Sequence, residues 1–315
     1  MALYVVTGGA GFIGSHLCDA LLAAGHDVRV VDDLSTGKAE NLDPRAQLLV
    51  GDAASPLLMR AAIAGAAGVF HLAAVASVAR ANEDWLGTHR SNLTATISVL
   101  DAARANGRIP VVYASSAAIY GDQGAGAIAE TARPQPQSAY GADKLGSELH
   151  ASVAFGVHGV PTMGFRFFNV YGPRQDPKSP YSGVISIFAQ AICDGRTITV
   201  NGDGQQTRDF IYVADIVRHL LAGMDRLHRT PEASVFNACT GTAISVLALA
   251  ETLGEVAGRA PVLQYGTARP GDIRSSLGDP AIARAALGVA AETTLSAGLT
   301  ATVAWMRPAA LPMVA

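Results

Sequence analysis

Along the first half of the chain, short β-branched runs alternate with stretches that carry apolar residues at helical spacing. The pattern predicts strands at Leu3–Thr7, Val28–Val31, Gln47–Val50, Val69–Leu72, Ile109–Ala114 and Thr162–Phe167. Between them it predicts an amphipathic helix over Phe12–Ala24 that stops at Gly25, a long helix over Asp84–Asn106 closed by Gly107, and a helix over Ala139–Phe155. Such alternation predicts an α/β fold of the Rossmann type. This is a doubly wound parallel sheet whose ligand sits at the carboxyl ends of the strands. After Asn169 the character changes, with loops rich in Pro and Gly (YGPRQDPKSPYSG, NGDGQQTRD, ARPGD) between shorter elements. The chain is therefore expected to divide into a larger part over 1–169 and a smaller lobe over 170–315, interleaved with the first. Pro308–Ala315 reads as a frayed tail. The stretch Ala61–Ala79, interrupted only by His71 and Ser77, has the length of a membrane span. Gly65 and Gly68 break it, and VFHLAA reads as a buried parallel strand with its exit loop.

At 315 residues, half of them hydrophobic and 16% charged, the chain can bury a large core and disorder is excluded. Net charge is −3, and three lysines among 23 basic residues leave 20 arginines, scattered singly. With no basic stripe, a nucleic-acid partner is not expected. Cys18, Cys193 and Cys239 lie far apart without metal-binding spacing, so they read as buried free thiols of a reducing cytosol, and no metal site is expected. The N-terminus lacks a basic region before its apolar run and enters a glycine turn, unlike a signal peptide. A cytoplasmic protein is the expectation.

Two features carry chemistry. The first is TGGAGFIG (Thr7–Gly14), where Gly8, Gly11 and Gly14 follow a strand and open a helix. Glycines there let the backbone approach a pyrophosphate, which rests on the helix N-terminus, with Phe12 and Ile13 in its first turn. Asp32, at the end of the next strand, is placed to accept hydrogen bonds from ribose hydroxyls. With Asp33 it would repel a 2′-phosphate, which favours NAD over NADP. Asp52, after another strand, either reaches the adenine edge or simply holds its turn. His71 reads as a satisfied core residue rather than a catalyst. The second feature is Tyr140 and Lys144 in SAYGADK, four apart on one helical face. With eight tyrosines and three lysines, chance gives such a pair an expectation of roughly 0.08. A unit charge near ~5 Å at an effective dielectric of ~20 is worth ~3 kcal/mol. That is enough to draw a phenol from near ~10 down by about two, toward a usable base.

These residues resemble the extended short-chain dehydrogenase/reductase family, and within it the nucleotide-sugar 4-epimerases. The motifs are TGGAGFIG, DDLSTG, Gly51-Asp52, HLAA (His71–Ala74), SSAAIYG (Ser115–Gly121), YGADK, RFFNVYGPR (Arg166–Arg174), GDGQQTRDFIYVAD (Gly202–Asp215) and RPGD (Arg269–Asp272). The resemblance implies that Ser116 bonds the sugar 4-hydroxyl and relays its proton to Tyr140, and that Lys144 bonds the nicotinamide ribose. It places Leu72, Ala73, Ala74 and Phe168 along the cofactor, although Phe168 also reads as a core phenylalanine. It puts Asn169, Arg208 and Arg269 on the substrate diphosphate and Asp272 on the uridine ribose. Forked guanidiniums in glycine-rich loops suit a diphosphate.

The resemblance also narrows the reaction. Related dehydratases carry an acid pair after the active-site serine or threonine, and decarboxylases a nearby glutamate. Here Ser116 is followed by Ala117 and Ala118. What remains is oxidation at C4 through a 4-keto sugar and reduction from the other face, with NAD tightly held. Ser276, the fourth residue after Gly-Asp of RPGD, would border the C2 substituent. Its small side chain leans toward UDP-GlcNAc/UDP-GalNAc, with UDP-Glc/UDP-Gal also open, and HLAAVASV, DIRSSL and Ala76 lean the same way. A UDP-glucuronate 4-epimerase shares most motifs but needs a cation for its carboxylate, for which Arg80 and Arg174 are candidates. A noncatalytic NAD-sensing module on the same fold is disfavoured by the intact Ser116, Tyr140 and Lys144. A reductase exchanging its cofactor with solution is the other alternative. Relatives dimerise through a four-helix bundle, here implied to be built from Asp84–Asn106 and the Tyr/Lys helix with Ala142, Leu145, Leu149 and Val153.

Overall fold

The computed structural model describes residues 1–177, 183–268 and 273–307. Its centre is a seven-stranded parallel sheet in the order 233–238, 162–167, 111–116, 68–71, 3–7, 27–32, 47–50. Helices cover both faces, so neighbouring residues of each strand enter different cores. Val5, Val31, Val69 and Val111 pack with Met59 and Val99 on one side. Their neighbours Val6, Val30, Phe70 and Val112 pack with Leu17, Leu21 and Leu220 on the other. The doubly wound fold read from the sequence is the one observed. Strand order reverses between Leu3–Thr7 and Gly68–His71, and this switch point is where the glycine-rich loop emerges.

Residues after 170 split between two places. The Val213–Arg229 helix and the Ala233–Ala238 strand return to the large sheet, where the strand forms its edge beside Thr162–Phe167. The rest builds a third core around Tyr171, Phe188, Val200, Phe210, Leu249 and Leu299. Beside it lies a small sheet in which Thr207–Tyr212 pairs with Asn169–Tyr171, Ala243–Ser245 and Ser275–Ser276. Buried Asp209 fastens this sheet to its loops. It accepts from Thr240 N (2.8 Å), Thr240 Oγ1 (2.7 Å), Gly241 N (2.9 Å) and, more weakly, Gly278 N (3.4 Å).

Several elements differ from the sequence reading. The Tyr/Lys helix runs a turn further, to His158, and ends on Gly159 at φ +69°. The strand expected at Ile109–Ala114 starts later and continues through Ser115 and Ser116. The long helix expected at 84–106 is interrupted: Trp85–His89 and Ala95–Ala105 flank a π-turn at Arg90–Thr94. The cause lies in Asn92. Its amide bonds both the N–H (2.8 Å) and the C=O (3.3 Å) of Val75, and its own carbonyl accepts the Thr96 hydroxyl (2.7 Å). Among the cysteines, Cys18 and Cys239 are buried but Cys193 is only half-buried, and all three are free. Among the described residues, no helix is long and apolar enough to cross a membrane. Pro308–Ala315 lies outside the described residues.

Asp209→Asn turns one acceptor oxygen into an amide donor facing buried N–H groups. It should destabilise the protein by about 1–3 kcal/mol, read as a lower urea midpoint at unchanged slope.

Candidate active site

The glycine-rich turn comes within contact of the loop that leaves the Gly68–His71 strand. Gly8 has φ +70°, and a Cβ there would stand 2.7 Å from the Ala73 nitrogen. Only glycine lets these backbones close. Gly11 and Gly14 complete the turn, with Gly11 N bonded to Gly8 O (3.2 Å) and Ser15 N to Gly11 O (3.1 Å). In the first helical turn, Ile13 packs on the sheet core and Phe12 lies edge-on to His16. The adjoining cleft is lined by Gly8, Asp32, Asp33, Asp52 and Leu72–Ala74. Asp32 accepts from Ala10 N and Leu34 N (both 2.9 Å), which fixes its carboxylate at the cleft wall. Burial nonetheless raises its pKa, and Asp33 adds to the rise. Asp33 holds Ser35, and Asp52 caps Ala54 N (2.7 Å) while accepting a fork from Arg90 (3.1 and 2.9 Å). Asp52 thus lines the cleft and holds its turn at once. A dinucleotide fits this arrangement, with bare backbone for the diphosphate and a fixed carboxylate for the ribose.

The second group sits at the ends of the middle strands. Ser138 caps the Tyr/Lys helix by accepting from Gly141 N (3.1 Å). Gly141 presses on the turn after Ser116, since a Cβ there would lie 2.6 Å from the Ala118 carbonyl oxygen. That close approach sets Tyr140 near Ser116, whose hydroxyl acts on the phenol. Lys144 is 3% exposed, donates to the Ala114 carbonyl (2.8 Å), and lies 5.9 Å from the centre of the Tyr140 ring. Burial pushes Lys144 down to about 8, against the opposing charge of Asp143. Burial also raises the Tyr140 phenol, and the Ser116 hydroxyl draws it part of the way back. The expectation that the Lys144 charge would bring the phenol toward neutrality is corrected here. In the protein alone, desolvation of the phenolate is the dominant influence.

His71 is buried and held by hydroxyls on both sides, Thr7 at Nδ1 (2.7 Å) and Thr96 at Nε2 (3.1 Å). Because the Thr96 hydroxyl donates to Asn92 O, the ring donates from Nε2 and accepts at Nδ1. Burial, aided by the Lys144 charge, pushes its pKa down to about 3, so it stays neutral. The core reading of His71 stands. Thr96 also contacts Ser147 (3.1 Å) on the Tyr/Lys helix, so Thr7, His71, Thr96 and Ser147 stitch the two groups together. Nothing in the local spacing announced Thr96, Ser147 or Asn92.

The remaining candidates lie on the small sheet. Register puts Ser116 opposite Phe167, so Phe168 and Asn169 emerge at the same end as the Tyr140–Ser116 pair. Phe168 is 5% exposed and packs with Ile119, Tyr120, Ile128 and Cys239, as a core phenylalanine would. Asn169 pairs with Phe210, two residues from Arg208, and Arg208 is register partner to Ser276. One sheet therefore carries Asn169, Arg208 and Ser276. Arg269 and Asp272 lie outside the described residues.

Charge burial at Lys144 predicts a stability cost. The fall from 10.5 to about 8 corresponds to ~3 kcal/mol, less ~1 kcal/mol for the hydrogen bond to Ala114. Lys144→Met should therefore unfold later in urea at pH 7, by about 2 kcal/mol. A depressed lysine costs stability fully below about 8. The cost fades as pH rises toward the unfolded value, so the advantage of the variant should shrink by pH 10.

Residues 4–239 match the model of the NAD dependent epimerase/dehydratase family. The chain is 34% identical to a UDP-glucose 4-epimerase of Mycolicibacterium smegmatis, over 96% of this chain and 98% of that one. Among solved structures, it matches UDP-glucose 4-epimerase from Thermotoga maritima with UDP-glucose, at TM-score 0.91 and 35% identity, over 96% and 98% of the two chains. It also matches UDP-N-acetylglucosamine 4-epimerase from Methanobrevibacter ruminantium in complex with UDP-N-acetylmuramic acid, at TM-score 0.91 and 33% identity, over 96% and 97%. The chain belongs to the NAD dependent epimerase/dehydratase family, within its UDP-sugar 4-epimerase group, with NAD as its cofactor.

Proposed function

We propose that the protein interconverts UDP-GlcNAc with UDP-GalNAc, UDP-Glc with UDP-Gal, or both pairs, by oxidation and re-reduction at C4. The observation that carries this reading is the grouping of Ser116, Tyr140 and Lys144 at one end of the sheet, with no carboxylic acid in the Ala117–Ala118 turn beside them. Such a set can move one hydroxyl proton and do little else. Ser116 holds the sugar 4-hydroxyl and passes its proton to Tyr140, and Lys144 favours the phenolate. Bound NAD supplies the hydride acceptor and donor, and its positive ring further favours the Tyr140 phenolate. The 4-keto sugar, held through its diphosphate by Asn169, Arg208 and Arg269 with Asp272 on the uridine ribose, then presents its other face. Gly8, Gly11, Phe12, Ile13, Gly14, Asp32, Asp33, Asp52 and Leu72–Ala74 hold the cofactor in this scheme, while Phe168 stays in the core it packs.

Ser276 sets the substrate width, and its small side chain leaves room for an N-acetyl group. The uronate reading remains the alternative. Arg174, one of its candidate cations, pairs through Nη2 with Asp19 (2.8 Å) on the Phe12–Ala23 helix. Association through the helical face is part of the same proposal. Leu149 (62% exposed), Val153 (54%), Trp85 (69%) and Leu86 (84%) present apolar surface to solvent, whereas Leu145 packs inward. A second copy laying the same helices against them would cover this face.

Purified protein without added cofactor should convert UDP-GlcNAc, UDP-Glc or both to the C4 epimers in an NMR time course. Tyr140→Phe should slow this by roughly 10²–10⁴-fold. Ser276→Tyr should cost the N-acetylated pair about tenfold or more relative to the plain hexoses. Turnover of UDP-glucuronate alone would favour the alternative, and no turnover of any of the three would remove the epimerase reading. Separately, Leu149→Glu should shift the protein to a monomer in sedimentation.

A further inference from the structure

Glu148 continues the four-residue spacing of Tyr140 and Lys144 on the same helix, yet the reaction makes no use of it. It is 7% exposed, and every contact it makes leads back to the active site. Ser115, the residue before Ser116, donates to Glu148 Oε1 (2.5 Å). Arg166 forks onto both carboxylate oxygens (Nε 2.9 Å, Nη2 2.7 Å). Its remaining nitrogen, Nη1, donates to the Tyr120 hydroxyl (2.8 Å) and to the Glu130 carbonyl (3.0 Å). Tyr120 closes the turn that begins at Ser116 and donates onward to Asn237 Oδ1 (2.7 Å). Asn237 Nδ2 donates to the Ile128 carbonyl (2.8 Å). That same carbonyl accepts from Asp279 N (3.0 Å), while Ile128 N donates to Leu277 O (2.9 Å), the residue after Ser276.

We propose that the buried chain Ser115–Glu148–Arg166–Tyr120–Asn237 is a positioning relay. It fixes the seat of Ser116 against Tyr140 and ties that seat to the 276–279 stretch bordering the sugar. The proposal rests on the reading of Ser116 and Tyr140 as the reacting pair. A buried ion pair is weak evidence of stability, because well-packed apolar residues of similar volume often serve as well. This one touches Ser115, directly before Ser116, and Tyr120, at the far end of the turn, with the fork and the hydroxyls satisfied in a fixed order. Such a network specifies one geometry. A reacting hydroxyl displaced by a fraction of an ångström loses much of its rate. On the proposed reading none of these five holds the substrate, so they act through Ser116.

Removing Glu148 or Arg166 would strand a buried charge and risk the fold. The test therefore uses Ser115→Ala and Tyr120→Phe, which delete one hydroxyl each and leave the ion pair intact, with Tyr140→Phe as reference. Rates are followed by NMR on whichever UDP-hexose pair the wild type converts, from pH 6 to 10, alongside thermal melts. Both relay variants should lose about tenfold in kcat, ~1.36 kcal/mol, at nearly unchanged KM, with Tm lower by only the few degrees that one buried hydrogen bond is worth. The rising limb of kcat should move to higher pH, because a misplaced Ser116 no longer lowers the Tyr140 phenol. Wild-type kcat and pH profile in both variants, with Tyr140→Phe inactive, would overturn the relay and leave the Tyr140 reading standing. A fall in Tm and kcat together with an unmoved pH profile would also overturn it, as ordinary loss of fold. Full activity in Tyr140→Phe would remove the reacting pair and the relay with it.

Discussion

One ammonium group held out of water organises this molecule. Lys144 lies beneath the carboxyl ends of the middle strands, donating to Ala114, and burial depresses it to about 8. A charge in that position is tolerable only if its surroundings are arranged for it. Asp143, next in sequence and 5% exposed, supplies the opposing charge and is itself bonded to His89 (2.7 Å). His71, which would repel the lysine if protonated, is pushed down to about 3 and stays neutral. Its neutrality lets it bridge Thr7 and Thr96 as donor on one side and acceptor on the other. The glycine-rich turn follows Thr7, and the π-turn follows from Asn92 beside Thr96. The glycine-rich turn and the Tyr/Lys helix are therefore linked through the same buried polar group.

The same burial explains why the sequence reading overestimated the tyrosine as a base. A Coulomb argument from spacing counts the attraction of ammonium for phenolate. It cannot count the solvent both lose, because exposure is a property of the assembled fold. At Tyr140 that loss is the larger influence, and the neighbouring Ser116 hydroxyl offsets only part of it. On the proposed reading, the positive ring of oxidised cofactor would add charge that favours the phenolate.

What was legible in the chain was local. Gly8, Gly11 and Gly14 are read from one turn, Asp32 from one strand end, and Tyr140 with Lys144 from one helical face. The parallel sheet is read from alternating runs, because strands buried on both faces leave continuous β-branched stretches. What escaped was set by contacts between distant segments. Asn92, in the π-turn of its helix, accepts from Val75, seventeen residues away. Thr96 meets Ser147 across fifty-one residues, and Tyr120 meets Asn237 across one hundred and seventeen. Arg166 was visible inside RFFNVYGPR without any role, because its partner Glu148 sits on another element. The return of Ala233–Ala238 to the first sheet likewise follows from pairing, which composition does not encode.

The division of labour between the two sheets bears on how such a site could serve two faces of one sugar. Ser116, Tyr140 and Lys144 belong to the large sheet and its covering helix, which are packed on both sides and have little freedom. Asn169, Arg208 and Ser276 belong to the small sheet, where Ser276 stands opposite Arg208 and Asn169 opposite Phe210, two residues along the same strand. A ligand gripped by the second set and attacked by the first is fixed at its diphosphate and free at its ring, as re-reduction from the opposite face demands. Freedom of the ring is useful only if the reacting groups do not move with it. The contact of Ile128 with Leu277 and Asp279 lies next to Ser276, the residue proposed to border the sugar, and the buried carboxylate of Glu148 holds the strand end at Ser115. The ring can then turn within a frame whose two edges are tied to each other rather than to the ring.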